Sequence, residues 1–233
     1  MEHKNMANKL FPKPQVVGTV HSVRSLKTAL HLDPQAVDFF EVRVDAFVGR
    51  EDEILAQLPR LKKPLIITVR DFREGGAQVI TREAKGRLWK KFLPHAALID
   101  VELISVKHLA DIIGFARDAG KRIIISHHDF KSTPPLARLN AFCKSARDAG
   151  ADILKVATVI QTTGDLAVLL AFQQAQKTLP LSLMGMGRFG KISRLLFAQA
   201  GSVLNYGYLD KPQVSGQWPA VLLRQRIDEL LAD

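Results

Sequence analysis

Eight short apolar runs, each followed by a longer stretch of helical period, leave this chain few folds to choose from. The runs are Val16–Val20, Phe39–Val44, Leu65–Val69, Leu98–Val101, Arg122–Ser126, Ile153–Ala157, Leu181–Met184 and Val203–Tyr206. They have strand length and are rich in Val, Ile and Leu. Between them apolar residues recur at i, i+3, i+4 and i+7, as in Leu109, Ile112, Ile113 and Ala116. Leu139, Phe142, Cys143 and Ala146 follow Pro134-Pro135, which is placed to open a helix. A last helical segment runs from Trp218 to Leu231. The pentapeptide Ala116-Arg117-Asp118-Ala119-Gly120 recurs as Ala146-Arg147-Asp148-Ala149-Gly150. In both copies a glycine suited to a left-handed cap precedes the next strand, although two helix ends can share such residues by chance.

Strands alternating with helices predict a parallel sheet covered on its faces. With 233 residues the chain is close to the roughly 250 of a (β/α)8 TIM barrel. The rival, a doubly wound open sheet, favours a glycine-rich phosphate loop after its first strand. Gly18-Thr19-Val20-His21-Ser22 is no such loop. The expectation is therefore an α/β protein with a single (β/α)8 barrel over 1–233, residues 1–13 forming a short flexible N-terminal segment.

Composition narrows the function classes. No apolar run approaches the roughly 20 residues of a membrane span. Met1 to Leu10 has no apolar run of signal-peptide length, so a cytoplasmic protein is expected. Cys143 is the single cysteine, which excludes an internal disulfide and a cysteine metal cluster, and its apolar neighbours place it in the core. The net charge of +10 is spread along the chain and aromatics are only 7%, so a nucleic-acid partner is not expected. The charge is a solvated basic surface, or it helps draw an anion into a cleft.

In a barrel, chemistry sits at the C-terminal ends of strands. Side chains two apart on a strand share a face, so Glu41, Arg43 and Asp45 point one way while Phe40, Val42 and Val44 point to the helices. Arg70 closes the third strand, with Glu74 ahead of Gly75-Gly76. Asp100 and Glu102 share a face of the fourth and can balance arginines or a lysine. The fifth runs into His127-His128-Asp129-Phe130. Adjacent strand residues face opposite ways, so the pair is a poor metal site, whereas one strand-end histidine suits proton transfer. Lys155 interrupts an otherwise apolar sixth strand, and lysine is rarely buried without a partner or a task. Taken out of water near cations, a lysine amine is favoured in the neutral form a nucleophile needs. After the seventh strand, the glycines from Gly185 to Gly190 permit close approach of a ligand, and Arg194 can grip a carboxylate bidentately.

The order and spacing of these elements resemble the type I 3-dehydroquinate dehydratases, from the second strand to Gln217. The segments that carry the resemblance are Glu41-Val-Arg43-Val-Asp45, Thr68-Val-Arg70 with Glu74-Gly75-Gly76, Ser126-His127-His128-Asp129-Phe130, Leu154-Lys155-Val156-Ala157, Met186-Gly187 through Ile192-Ser193-Arg194, and Ser215-Gly216-Gln217. The resemblance implies a Schiff-base lyase that turns 3-dehydroquinate into 3-dehydroshikimate without metal or cofactor. Lys155 would be the imine-forming amine, His128 the proton carrier and Glu74 its supporting acid. Thr19, Glu41, Arg43, Arg70, Met186 and Tyr206 would surround the substrate, Arg194 would hold its carboxylate, and Gln213 and Gln217 would belong to a lid. It also implies a homodimer acting on a small carboxylate, with no nucleic acid or membrane partner.

Several positions depart from the family pattern. The lid, usually Ser-Ala-Pro-Gly-Gln, reads Gln213-Val214-Ser215-Gly216-Gln217 here. Tyr206 and Asn205 stand where phenylalanine and threonine are usual. These changes touch the pocket rather than the imine chemistry. Two alternatives stay open: another class I Schiff-base lyase or aldolase acting on a related hydroxy-ketone, and a non-catalytic barrel that binds an anion.

Overall fold

The computed structural model describes residues 11–232. Its strands are β1 (Gln15–Val20), β2 (Phe39–Arg43), β3 (Leu65–Thr68), β4 (Leu98–Glu102), β5 (Arg122–Asp129), β6 (Ile153–Val159), β7 (Leu181–Met186) and β8 (Leu204–Tyr208). Each is followed by a helix: α1 (Val23–His31), α2 (Glu51–Leu55), α3 (Arg82–Phe92), α4 (Ala110–Asp118), α5 (Leu136–Asp148), α6 (Thr163–Ala175), α7 (Gly190–Gln199) and α8 (Ala220–Leu231). The strands pair in parallel in the order β7-β6-β5-β4-β3-β2-β1-β8. The remaining β7–β8 seam closes largely through side chains. Ser182 Oγ–H donates to Leu204 O at 2.6 Å, and Leu183 N–H donates to Ser202 Oγ at 3.0 Å. The fold is the expected (β/α)8 barrel.

Alternation along the strands sorts the core into two shells. Phe40, Val42, Val44, Val101, Ile125 and Val156 face outward and pack on Trp89, Ile113, Leu139, Phe142 and Phe172 of the helices. Val17, Phe39, Ile66, Leu98, Ile124 and Ile153 face inward and fill the lower barrel. Burying each such side chain stabilises the fold by roughly 1.5–3 kcal/mol. Cys143 is buried in the outer shell, and burial pushes its thiol pKa up.

The pentapeptide echo is a repeated helix stop. Gly120 and Gly150 have φ of 69° and 74°. Lys121 N–H returns to Ala116 O and Ala151 N–H to Ala146 O, at 2.8 and 2.9 Å, which caps α4 and α5 alike.

Some boundaries differ from the sequence expectation. β2 ends at Arg43, and Val44 opens a 3₁₀ turn. β5 continues three residues further, through His127-His128-Asp129. The last helix begins at Ala220 rather than Trp218, because the residue before Pro219 is pushed toward extended backbone. Trp218 O instead accepts from Tyr208 N–H at 3.0 Å. Of the expected N-terminal segment, residues 1–10 lie outside the described residues, while Phe11 packs edge-on to Phe39 with centroids 5.7 Å apart. No described helix is long and apolar enough to cross a membrane.

Candidate active site

At the C-terminal end of the barrel the inward positions turn from apolar to charged. Register places Ser126 opposite Lys155, His128 opposite Ala157, Thr19 opposite Glu41 and Thr68 opposite Asp100. Lys155 Nζ lies 2.9 Å from Asp100 Oδ2 and 3.2 Å from Glu41 Oε1. It also sits 3.8 Å from the centre of the Tyr206 ring, whose π face favours a cation. Thr68 and Thr19 donate to the two oxygens of Glu41 at 3.1 and 3.4 Å, so three strands hold this carboxylate.

Arg70 crosses the barrel behind the lysine. Its guanidinium donates to Asp100 Oδ2 at 2.8 Å, to Ser126 Oγ at 2.7 Å and to Glu102 Oε1 at 3.4 Å. Ser126 Oγ–H in turn donates to Asp100 Oδ1 at 2.6 Å. Burial alone would raise the Asp100 carboxyl, but Arg70 and Lys155 hold it well below the usual carboxylate range. Lys85, from α3, closes the set on Glu102 at 3.2 Å. Arg43 forks onto Asp45 at 2.9 and 2.8 Å and also donates to Gly75 O. Four buried carboxylates, Glu41, Asp45, Asp100 and Glu102, are thus matched by four cations, Arg43, Arg70, Lys85 and Lys155. Buried charges persist only when paired in this way.

Arg194 stands outside that balance. It is 2% exposed at the start of α7. Its Nη1 donates to Tyr206 O at 2.9 Å, its Nε has no partner, and no carboxylate bridges to it among the described residues. Burial with no compensating charge pulls its pKa down to about 10. A desolvated guanidinium without a counter-ion calls for an anion from outside.

His128 and Glu74 form a second unit. Glu74 Oε2 is 3.0 Å from His128 N and 2.9 Å from His128 Nδ1. Oε2 accepts from the backbone N–H, so the assignment that suits both contacts makes Nδ1 a donor as well and leaves Nε2 with its lone pair. Burial, with Arg70 and Lys155 adding, holds the imidazole well below its ordinary pKa. Burial pushes the Glu74 carboxyl up to about 8, Glu102 adding to the shift and Arg70 opposing it. Both groups therefore favour their neutral forms near pH 7.

The twelve residues expected to act on or hold the substrate line one cavity of about 140 Å³: Thr19, Glu41, Arg43, Arg70, Glu74, His128, Lys155, Met186, Arg194, Tyr206, Gln213 and Gln217. The volume suits a small single-ring compound. A lysine amine, a neutral histidine base and an unpaired guanidinium around it make a site for carbonyl chemistry on an anion.

Comparison with known proteins agrees with this geometry. The family model described as "Type I 3-dehydroquinase" matches residues 16–230. The chain belongs to the type I 3-dehydroquinases. It is 33% identical over 190 residues to a 3-dehydroquinate dehydratase of Hydrogenobaculum sp. (strain Y04AAS1), covering 80% of this chain and 85% of that protein. It superimposes on the crystal structure of 3-dehydroquinate dehydratase from Geobacillus kaustophilus HTA426 with a TM-score of 0.84 and 27% identity, covering 94% and 92% of the two chains. The type I 3-dehydroquinate dehydratase of Clostridium difficile, described with covalently modified comenic acid, matches with a TM-score of 0.82, 27% identity and the same coverage.

Within this type I 3-dehydroquinase site, three features escaped the sequence reading. Ser126 joins Arg70 to Asp100, the carboxylate already expected to balance an arginine or a lysine, and strand alternation was the signal that could have singled it out. Phe130 and Val214 border the cavity although both are apolar loop residues. The glycines after β7 make room for the backbone of the loop at 215–216, a contact the sequence did not show. Gly187 N–H donates to Ser215 O at 3.0 Å, and a Cβ on Gly190 would lie 2.7 Å from Gly216 Cα. The loop is further tied by Gln217, whose Oε1 accepts from Gln213 N–H at 2.7 Å.

Proposed function

We propose that this chain dehydrates 3-dehydroquinate to 3-dehydroshikimate and water through a Schiff base on Lys155. The observation that carries the reading is the buried, unpaired Arg194 in the same cavity as Lys155 and the His128–Glu74 pair. A carboxylate seated on Arg194 supplies the missing counter-charge and presents the rest of a carboxylate-bearing ring to the lysine. Glu41 and Asp100 hold Nζ in place before it reacts.

The amine adds to the substrate ketone, and loss of water leaves a protonated imine. That cation is an electron sink, so the neighbouring C–H becomes acidic. Nε2 of His128 takes this proton and an enamine forms. The enamine expels the hydroxyl group, which leaves as water with the proton returned by His128. Hydrolysis of the remaining imine releases the product and frees Lys155. The cycle closes on the protein's own groups, with the cation balanced by Glu41 and Asp100 in a site shielded from water.

The test is a turnover assay of the purified protein on 3-dehydroquinate, followed by the ultraviolet absorbance of the conjugated product. Turnover at an ordinary enzymatic rate, about 1–1000 per second, supports the reading. No turnover, with cleavage of a hydroxy-ketone instead, transfers the site to an aldolase. The homodimer implied by the resemblance is tested by sedimentation, and a monomer at micromolar concentration contradicts it.

A further inference from the structure

His127 obeys strand alternation and turns away from the cavity, onto Phe142 of α5, with ring centroids 4.2 Å apart. Its Nδ1 nevertheless lies 3.9 Å from Oε1 of Glu74. That oxygen is buried and has no hydrogen-bond partner, while Oε2 serves both contacts to His128. Leaving a buried polar atom unmatched costs about 1–3 kcal/mol, which favours closing the gap to Nδ1 into a hydrogen bond. The His127 side chain is 16% exposed, so the same ring also reaches solvent.

We propose that His127 is a positioning residue for the dehydration, coupled to His128 through the two oxygens of Glu74 and opening that buried pair to solvent. The proposal rests on His128 being the proton carrier. Because Oε2 accepts from His128, the proton of neutral Glu74 belongs on Oε1, facing Nδ1 of His127. When His128 becomes an imidazolium, its Nδ1 proton passes to Oε2, and Oε1 releases its own to Nδ1 of His127. The His127 imidazolium then gives one proton to water, and the reverse sequence restores it. Glu74 gains and loses one proton, so no net charge is left in the barrel.

The groups that face His127 are Asp129 on its own strand, Arg138 from α5 and Glu74 from the turn after β3. Burial holds its imidazole below the ordinary value, with Asp129 opposing and Arg138 adding. A neutral ring there is an acceptor for the Oε1 proton.

His127→Phe keeps a ring against Phe142 and removes both nitrogens. Expected is a kcat about tenfold lower at little change in KM, smaller than the loss from removing the proton carrier itself, with a displaced kcat–pH profile. Lys155 should still be trapped by borohydride. A folded His127→Phe protein whose kcat–pH profile superimposes on that of the parent overturns the proposal. Imidazole nitrogen NMR of the parent and of Glu74→Ala gives a second reading that does not depend on His127→Phe folding. The Glu74→Ala change removes the proton donor that faces Nδ1 and should move the His127 titration measurably upward, and an unmoved titration overturns the coupling. Failure to trap an adduct on Lys155 in the parent would instead sink the functional reading on which this one stands.

Discussion

Lys155, His128 and Glu74 owe their properties to one another more than to their own chemistry. Glu74 illustrates this at the scale of single residues. Its folded pKa of about 8 lies above the 4.5 of an ordinary glutamate, so the fold favours the protonated acid. That stabilisation is full below about pH 4.5 and is lost as the pH rises toward 8. Relative to Glu74→Gln, which cannot ionise, the parent should therefore lose stability between pH 5 and pH 8. Thermal melts of both proteins at the two pH values check this, and a constant difference contradicts it. His128→Ala removes the proton carrier and leaves the amine. Turnover should fall by about 10²–10⁴, while some adduct still forms on Lys155. Near-normal turnover rejects the role. Asp100→Asn leaves Arg70 and Lys155 short of a negative charge. It should destabilise the fold by roughly 3–5 kcal/mol in urea titration, the magnitude for breaking a buried ion pair.

At the scale of elements, the loop from Gln213 to Gln217, the lid of the proposed function, is held by Gln217 and by glycines that let backbones meet. Gln217→Ala removes the acceptor for Gln213 N–H and should raise KM about tenfold, or about 1.4 kcal/mol. An unchanged KM would mean that the loop closes without it. The strands were legible in the sequence because their apolar runs are short, β-branched and separated by helical period. Their polar ends were not, since His127-His128-Asp129 carries no strand propensity and is held in β5 by pairing with Val156, Ala157 and Thr158. Lys155 and His128 could be found because one interrupts an apolar run and the other follows one. The charge-balancing role of Asp100 was legible too, whereas Ser126 acts by bridging Arg70 and Asp100 from other strands, a contact that becomes visible only when the barrel closes. The glycines after β7 misled for the same reason, as their neighbour is a segment some thirty residues later.

For the whole molecule, the barrel gathers eight strand ends into one ring, so residues from Thr19 to Gln217 meet in one cavity. The charges of its interior nearly cancel, with Arg194 left over. The whole chain carries a net charge of +10, that unmatched cation included. An anionic substrate should be steered inward, so kcat/KM should fall severalfold as salt shortens the Debye length from about 10 Å to 3 Å, with kcat nearly constant. The central claim is covalent, and one measurement reaches it directly. The protein is incubated with 3-dehydroquinate, treated with borohydride and mapped by peptide mass. The account predicts a reduced adduct on the peptide that contains Lys155 and its loss in Lys155→Ala. Active protein that carries no adduct, or carries it on another lysine, would contradict it.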